Sequence, residues 1–266
     1  MSIHPTAIIE AGAKIAKDVI IGPYCTIGAY VKIGAGTRLV SHVVVTGHTT
    51  IGKNNVIYPF ASLGQPSPDR KYKGEEATLT IGDNNDIREG VTMHIGTAAD
   101  KGTTKVGSNN LFMAGSHIAH DCIVGNNIII ANYTQLAGHV EIADNVTIGG
   151  LSGVHQHVRV GSHSIIGGHT AVDYDVPPYA SVSGRRAMLK GLNLVGLRRR
   201  GFEKTTIREL DAAYDFLFDE TAENEDMPLT ERADKLKRRS KLKEVKDLAD
   251  FVLNTHRGVT AYEDDE

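Results

Sequence analysis

Histidines recur beside one repeated aliphatic position of this chain, and imidazole is the side chain best suited to proton transfer near neutral pH. Ile118, Leu136 and Val154 are eighteen residues apart, and each is followed within three residues by a histidine. Met93, which is followed by His94, falls at the same spacing once the insertion between Met93 and Val106 is removed. One such histidine would be typical of a solvated surface, but a group indicates proton transfer, metal ligation or recognition of a polar substrate. The group is His94, His117, His120, His139 and His155.

A repeat of six residues supplies the scaffold that positions these histidines. An aliphatic residue recurs at every sixth position from Ile3 to Leu63, and an apolar residue does so, after interruptions, from Val106 to Val172. Neither a strand, with period 2, nor a helix, with period 3.6, accounts for this spacing, whereas a turning coil does. Glycine follows the aliphatic residue in eleven cases, as expected at corners. The chain is therefore a repeat protein.

The repeated pattern, aliphatic-Gly-x-x-small-x, resembles the hexapeptide repeat of left-handed parallel β-helix proteins, in which three hexads form one triangular coil. The resemblance implies a mainly β fold with that handedness, in which Ile118, Leu136 and Val154 lie directly above one another. Cys25 and Cys122 fall on the small inward position of a hexad. We expect both to be buried packing residues rather than a disulfide or a nucleophile.

The end of the repeats predicts two domains. The hexads stop after Val172, before the pair Pro177 and Pro178, so residues 1–180 are predicted to form the β-helix and 181–266 a C-terminal α-helical domain. Apolar residues at helical spacing predict a helix over 205–218, with Thr206 and Glu209 as a capping box. A second apolar stripe over 242–252 predicts another helix.

Two interruptions of the hexad count predict extruded loops, which in repeat proteins often lie on the binding face. The first loop is predicted over 64–79 and carries Asp69 and Lys71; the second is predicted over 94–105. No apolar run reaches the ~20 residues of a membrane span, and the N-terminal residues lack the features of a signal peptide. We therefore expect a cytoplasmic protein without a transmembrane segment. A formal net charge of −3 argues against nucleic acid as a partner.

Several motifs together resemble a more specific family, the acyl-(acyl-carrier-protein)–UDP-N-acetylglucosamine O-acyltransferases, which catalyse the first step of lipid A synthesis. The resemblance covers nearly the whole chain, and HIAHDC, KYKGE and GLRRRGF are more specific than the hexads. The motifs in order are GHTTIG at 47–52, KYKGE at 71–75, HIAHDC at 117–122, GGLSGVHQ at 149–156, DVPPY at 175–179 and NLVGLRRRGF at 193–202.

The resemblance implies an enzyme that transfers an R-3-hydroxyacyl group from acyl carrier protein to the 3-hydroxyl of UDP-N-acetylglucosamine. His120 matches the general base that takes the proton of the sugar hydroxyl, and Asp121 is its orienting neighbour. Gly138 matches the residue whose backbone N–H faces the thioester oxyanion, a donor worth roughly 3 kcal/mol by analogy with other oxyanion holes. No cofactor or metal is expected, because the acyl thioester is a co-substrate and no covalent intermediate is needed.

Substrate contacts are implied in the same way. Asp69 and Lys71 match sugar contacts. Asn193, Arg199 and Arg200 match the uridine and diphosphate end, where guanidinium groups supply bidentate geometry for the diphosphate. Alone, the triplet 198–200 would be typical of a solvated helix face. The residues that match the nucleotide-sugar pocket are His94, His117, His139, His155 and Gln156.

Gly168 matches the position that sets acyl length, and a glycine there favours a long hydroxyacyl chain; it is equally typical of an ordinary coil corner. Ile95 and Pro68 depart from the family pattern, which has a basic and a polar residue at these positions. These departures leave open whether the acceptor position carries a hydroxyl or an amine.

The resemblance further implies a homotrimer with active sites between neighbouring prisms. Because the net charge is negative, an acidic acyl carrier protein needs a local basic patch. The candidates are Arg185, Arg186, Lys190 and Arg198 to Arg200.

Two alternatives remain at this point. A γ-type carbonic anhydrase has the same fold, and His94, His117, His120 and His139 could imitate its metal site. The N-acyltransferase that acts later in the same pathway usually has an additional N-terminal domain, whereas here the hexads begin at Ile3.

Overall fold

Three parallel β-sheets form the sides of a prism in the computed structural model, which describes residues 2–218 and 226–262. Each coil contributes one short strand to each sheet, so residues on successive coils pair in parallel. Met93 pairs with Ile118, Ile118 with Leu136, and Leu136 with Val154. The predicted column, including Met93 beyond the second insertion, is confirmed.

The first sheet has eleven strands and the other two have nine and eight. In stacking order the first sheet contains Ser2–Ile3, Ile20–Ile21, Arg38–Leu39, Val56–Ile57, Asp86–Ile87, Leu111–Phe112, Ile129–Ile130, Thr147–Ile148, Ile165–Ile166, Ala180–Ser183 and Met188–Leu192. The second contains Ile8–Ile9, Thr26–Ile27, Val44–Val45, Ser62–Gln65, Thr92–His94, His117–Ile118, Gln135–Leu136, Gly153–Val154 and Ala171–Val172. The third contains Lys14–Ile15, Lys32–Ile33, His48–Ile51, Thr78–Ile81, Thr103–Val106, Ile123–Val124, Glu141–Ile142 and Arg159–Val160.

The core of the prism is a stack of aliphatic side chains, because the second residue of each two-residue strand points inward while the first points out. Ile57, Ile118, Leu136 and other inward residues are fully buried. Cys25 and Cys122 are also fully buried, and burial raises the pKa of the Cys122 thiol to about 12. The prediction that the cysteines pack the core and form no disulfide is confirmed.

The chain direction defines three corners of the prism. The first corner joins the first sheet to the second, the second corner joins the second sheet to the third, and the third corner joins the third sheet back to the first. A buried ladder of Asn55, Asn85 and Asn110 runs up the third corner. The Oδ1 atom of Asn55 accepts from the backbone N–H of Asn85, and that of Asn85 from the backbone N–H of Asn110. Each amide therefore ties one coil to the next.

Both insertions leave the prism at the second corner, and both are shorter than predicted. The first loop comprises residues 66–77 rather than 64–79, and the second 95–102 rather than 94–105. The strands extend into the predicted loop ends because their residues find partners there: Gln65 pairs with His94, and Thr78 with both His48 and Thr103.

The prism also extends beyond residue 180, where the sequence places the domain boundary. Ala180–Ser183 and Met188–Leu192 form an antiparallel hairpin that closes the first sheet, and the helices begin only at Leu194. The hexad pattern ends earlier because an antiparallel closing hairpin does not need it. The helices are α1 (Leu194–Arg199), α2 (Lys204–Phe218), α3 (Leu229–Arg239) and α4 (Lys243–Leu253).

Helices α2 and α4 confirm the two predicted helical segments, but the capping box is wrong. Helix α2 begins at Lys204, and the N–H of Ile207 donates to the carbonyl of Glu203, so Thr206 lies inside the first turn. Helices α1 and α3 are not predicted, since α1 is short and α3 is mostly polar. No helix within the described residues has the length and apolar character that a membrane span requires.

Buried Asp175 joins the helical unit to the prism. Its carboxylate accepts hydrogen bonds from Arg159 Nε at 2.9 Å and from Thr255 Oγ1 at 3.0 Å. The guanidinium of Arg159 also stacks on the ring of Phe251 in α4, 4.3 Å from its centroid. These contacts fix α4 against the last coils.

Candidate active site

Imidazole rings form a ladder along the second corner. The ring centroids of His120 and His139 are 5.0 Å apart at 90°, and those of His139 and His157 are 4.3 Å apart and nearly parallel. His94 and His117 meet edge to face at 4.8 Å. Four of the five predicted histidines therefore come together here.

His155 does not join the ladder, because the predicted histidines occupy different positions of the corner. Asp121, His139 and His157 are eighteen residues apart and share one left-handed backbone position, with φ of 59°, 65° and 63°. His157 thus stacks on His139; it was not predicted as a site residue, although its spacing of eighteen residues from His139 was a usable signal. His155 is exposed and lines an open groove on the outer face of the second sheet with His117 and Gly153, while Gln156 is exposed beside it.

Asp121 orients His120. The Oδ2 atom of fully buried Asp121 lies 2.9 Å from His120 Nδ1. An ionised carboxylate accepts only, so Nδ1 carries the proton and Nε2 is left as the basic nitrogen. Burial by itself would raise the pKa of Asp121, but hydrogen bonds from the backbone N–H of Thr97, from His120 and from the Thr97 hydroxyl outweigh it and lower the pKa. The carboxylate therefore stays ionised beside the imidazole.

Gly138 lies directly against the basic edge of His120. A Cβ atom at this position would be 2.7 Å from both Nε2 and Cε1 of the imidazole. The φ angle of Gly138 is not in the left-handed region, so the backbone conformation does not demand glycine. Close approach of the main chain to the imidazole does.

Burial lowers the pKa values of His94 and His117. Burial, followed by repulsion from His117 and His120, lowers the pKa of His94 to about 4. Burial, followed by repulsion from His120, also lowers the pKa of His117, although its Nδ1 hydrogen bonds with Thr92 Oγ1 at 2.7 Å. Both rings are neutral near pH 7 and can act as hydrogen-bonding groups without bringing positive charge beside His120.

The second loop contacts His139, on which His157 stacks. Asp100 Oδ2 lies 2.6 Å from His139 Nδ1, and neighbouring Lys101 forms an ion pair with Glu141 at 2.9 Å. Burial, then repulsion from His139, lowers the pKa of His157. Neither Asp100 nor Thr97 was singled out from the sequence, because only the folded path of the loop brings them to the corner.

The first loop is a compact turn next to the second. Asp69 Oδ1 accepts from the backbone N–H of Lys71 at 2.9 Å, and Glu75 Oε1 accepts from the backbone N–H of Ala98 in the second loop at 3.3 Å. The Lys71 side chain is exposed, as a substrate contact requires. Pro68 lies in this turn, and Ile95 is buried in the core with only 5% of its surface exposed, which accounts for an apolar residue there.

The remaining predicted residues lie at other corners. Asn193 is buried at the third corner, where it caps α1 and donates from Nδ2 to the carbonyl of His163 at 2.8 Å. Arg199 is exposed, and Arg200 donates to the carbonyl of Asn145 at the same corner at 2.9 Å. Gly168 is exposed at the first corner, where an added Cβ would lie 3.2 Å from the carbonyl oxygen of Gly150. One copy of the chain does not bring these residues to His120.

Comparison with known proteins identifies the family. Residues 175–260 match the family described as Udp N-acetylglucosamine O-acyltransferase, Domain 2, and residues 1–35 and 103–138 match the bacterial transferase hexapeptide family. The chain is 50% identical over 258 residues to the acyl-(acyl-carrier-protein)–UDP-N-acetylglucosamine O-acyltransferase of Thermodesulfovibrio yellowstonii, covering 97% of this chain and 98% of that protein. It is 55% identical over 216 residues to the enzyme of the same name from Saccharophagus degradans, covering 81% and 84%.

The chain belongs to the acyl-(acyl-carrier-protein)–UDP-N-acetylglucosamine O-acyltransferase family.

A solved structure of another member, LpxA from Acinetobacter baumannii, superimposes with a TM-score of 0.93 at 48% identity, covering 97% of this chain and 99% of that one. The expected fold is thereby confirmed as a left-handed parallel β-helix with C-terminal helices, and the chain is an O-acyltransferase. The comparisons do not favour the carbonic anhydrase or the N-acyltransferase of the same pathway. Among the described residues, His120, Asp121 and His139 come close enough to hold a metal ion, but Asp121 already accepts from His120 and Thr97.

Proposed function

We propose that this acyltransferase moves an R-3-hydroxyacyl group from acyl carrier protein to the 3-hydroxyl of UDP-N-acetylglucosamine, with His120 as the general base. The relatives named above carry these two substrates in their names. The observation that carries the proposal is the contact of His120 Nδ1 with ionised Asp121, which leaves Nε2 free to accept a proton.

The reaction requires no cofactor. Nε2 of His120 takes the proton of the sugar hydroxyl as its oxygen attacks the thioester carbonyl, and the imidazolium returns that proton to the departing thiolate. An ester bond forms and the thioester bond breaks, with no change in oxidation state. Asp121 stabilises the imidazolium in between, because its lowered pKa keeps it anionic.

The main chain at Gly138 supplies the oxyanion donor in this proposal. The absence of a side chain lets the backbone approach the imidazole edge, where the attacked carbonyl must lie. A backbone N–H aimed at charge that develops only in the transition state contributes roughly 3 kcal/mol in other enzymes. Nε2 of His120 and the backbone N–H of Gly138 would therefore act on one reacting centre.

The acceptor sugar is proposed to bind between the two loops and the histidines around His120. Lys71 is exposed on the first loop, and His94, His117 and His139 offer hydrogen-bonding atoms around the base. Exposed His155 and Gln156 extend this surface along the groove of the second sheet toward the nucleotide. Gly168 is proposed to leave room for a long acyl chain, since a larger side chain would fill the first corner.

We further propose that the enzyme works as a homotrimer. Arg199 and Arg200 suit a diphosphate, yet they lie at the third corner while His120 lies at the second. Packing prisms side by side around a threefold axis places different corners of two copies against one cleft. Such a cleft would combine the base of one copy with the arginines of another, and acyl carrier protein would deliver the thioester there, in the cytoplasm.

The test is turnover of UDP-N-acetylglucosamine with R-3-hydroxyacyl carrier proteins of graded chain length, for wild type and His120→Ala. We expect a loss of at least ~100-fold in kcat, the usual scale for a general base. The control is His4→Ala, which removes an exposed histidine of the first coil. Comparable turnover by His120→Ala and wild type would refute the proposed mechanism, and a preference for short acyl chains would refute the role of Gly168.

A further inference from the structure

Two of the three polar groups of Thr97 donate to Asp121, and the third closes the second loop. Thr97 lies in the second loop and is 3% exposed. Its backbone N–H donates to Asp121 Oδ1 at 3.0 Å, and its hydroxyl donates to Asp121 Oδ2 at 2.7 Å. Its carbonyl accepts from the backbone N–H of Gly102 at 2.9 Å, which closes the loop on itself. The second loop is therefore folded so that Thr97 hydrogen bonds to both oxygens of the Asp121 carboxylate.

The other contacts of Asp121 show why its hydrogen bonds with Thr97 are important. Oδ2 accepts from both the Thr97 hydroxyl and His120 Nδ1, while the backbone N–H of Asp121 donates to Thr104 Oγ1 at 2.8 Å. Asp121 has a left-handed backbone, with φ of 59°, at the turn of the corner. Without the two donors of Thr97, the imidazole of His120 would be the one remaining donor to this buried carboxylate among the described residues.

The sequence around Thr97 fits this role. A Cβ atom at Gly96 would lie 2.2 Å from the backbone nitrogen of Thr103, so only glycine permits the two arms of the loop to approach here. The next residue, Ala98, donates its N–H to Glu75 of the first loop. The two loops and the Asp121–His120 pair thus form one hydrogen-bonded unit.

We propose that Thr97 is a positioning residue for the transfer reaction. Its hydroxyl and its backbone N–H fix the Asp121 carboxylate so that Oδ2 faces His120 Nδ1, which holds the proton on Nδ1 and keeps Nε2 as the base. Thr97 itself does not touch the reacting atoms. This inference rests on the proposed role of His120 and adds to it a residue of the second loop.

The experiment compares Thr97→Val, Thr97→Ser and the matched control Thr103→Val. Valine keeps the shape and the backbone donor of Thr97 but removes the hydroxyl, and serine restores it. Thr103 lies at the base of the same loop, where its hydroxyl contacts Thr78 Oγ1 rather than Asp121. Thermal unfolding of each variant verifies that it is folded.

We expect Thr97→Val to lower kcat roughly tenfold, the scale of one hydrogen bond to a charged group, with little change in the KM for the sugar nucleotide. A carboxylate that is no longer held facing Nδ1 stabilises the imidazolium less, so the acid limb of kcat/KM against pH moves to lower pH. Thr97→Ser should recover most of the rate and the original pH profile. Thr103→Val should match wild type in both.

Wild-type kinetics and pH profile in a folded Thr97→Val variant would overturn the inference. Equal losses in Thr97→Val, Thr97→Ser and Thr103→Val would overturn it too, because they would indicate general loop packing. A second readout does not need turnover: the nitrogen-15 NMR spectrum of His120 should show the Nδ1-protonated tautomer in wild type and a mixture in Thr97→Val. Absence of acyl transfer by wild type would refute the proposed function, and the tautomer measurement would still decide the role of Thr97.

Discussion

Gly138→Ala tests whether close approach of the main chain to the base is required for activity. The added methyl carbon would lie 2.7 Å from His120 Nε2 and Cε1, where ordinary contact is 3.4 Å or more. The backbone at Gly138 is held in place because its coil pairs with the neighbouring coils. The imidazole of His120 must therefore move by about 0.7 Å or tilt away from the new methyl group. Such a movement also strains the 2.9 Å contact between His120 and Asp121.

The expected loss follows from this displacement. A misplacement of about 1 Å at a reacting group costs roughly 100-fold in rate, so we expect kcat to fall by roughly 30- to 100-fold. Stability should change little, because Gly138 does not have a left-handed backbone and alanine restricts the unfolded chain. The variant would be folded but slow.

The assay is steady-state acyl transfer together with thermal unfolding. Gly153→Ala serves as the folding control, since a Cβ there meets nothing within 4 Å. If Gly138→Ala were as active as wild type, the reaction would not depend on this approach, and both the position of Nε2 and the oxyanion role of Gly138 would have to be abandoned. A misfolded Gly138→Ala beside a stable Gly153→Ala would instead contradict the claim that glycine is kept for catalysis.

Two further predictions concern pH and the acyl carrier. The pKa of His94 falls from 6.5 to about 4 on folding, so the native state holds fewer protons, and stability present above pH 6.5 is lost as the pH falls toward 4. This contribution is at most about 3 kcal/mol, and urea unfolding at pH 7.5 and 5.0 should show a shallower dependence for His94→Gln; an unchanged dependence contradicts the assignment. Reversal of Arg185 and Arg186 to Glu should raise the KM for the acyl carrier protein at least roughly tenfold and abolish its salt sensitivity, whereas the exposed pair Lys14 and Lys32 reversed to Glu should not. An unaffected KM would remove these arginines from carrier binding.

The fold was predictable because inward packing repeats with the sequence period. Each inward aliphatic residue from Val106 to Val172 falls where the hexad count puts it, and Met93 pairs with Ile118 across an insertion. The hexad count does not predict elements that lie outside the repeating coils. The closing hairpin after residue 180 pairs antiparallel, and helix α3 is largely polar, so neither carries a strong periodic signal.

The site was less predictable than the fold, because only some of its residues follow the hexad repeat, while others lie in a loop or at other corners of the prism. His120 and Asp121 lie within a hexad and were found from a motif, while His157 could have been found from its spacing to His139. Thr97 and Asp100 depend on the path of a loop that has no period. The residues at the other corners, including Arg200, lie away from His120 in a single copy of the chain.

The asparagine ladder of the third corner sets rules for how this protein can change its length. In this ladder, the side-chain oxygen of each asparagine accepts a hydrogen bond from a backbone N–H of the next coil; the asparagines are Asn55, Asn85 and Asn110. Loss of six residues would rotate every later turn by one side and leave these buried amides facing the wrong partners, whereas loss of eighteen would restore the match. Lineages of this fold are therefore expected to gain or lose whole turns, and all other growth has to take the form of excursions from an edge.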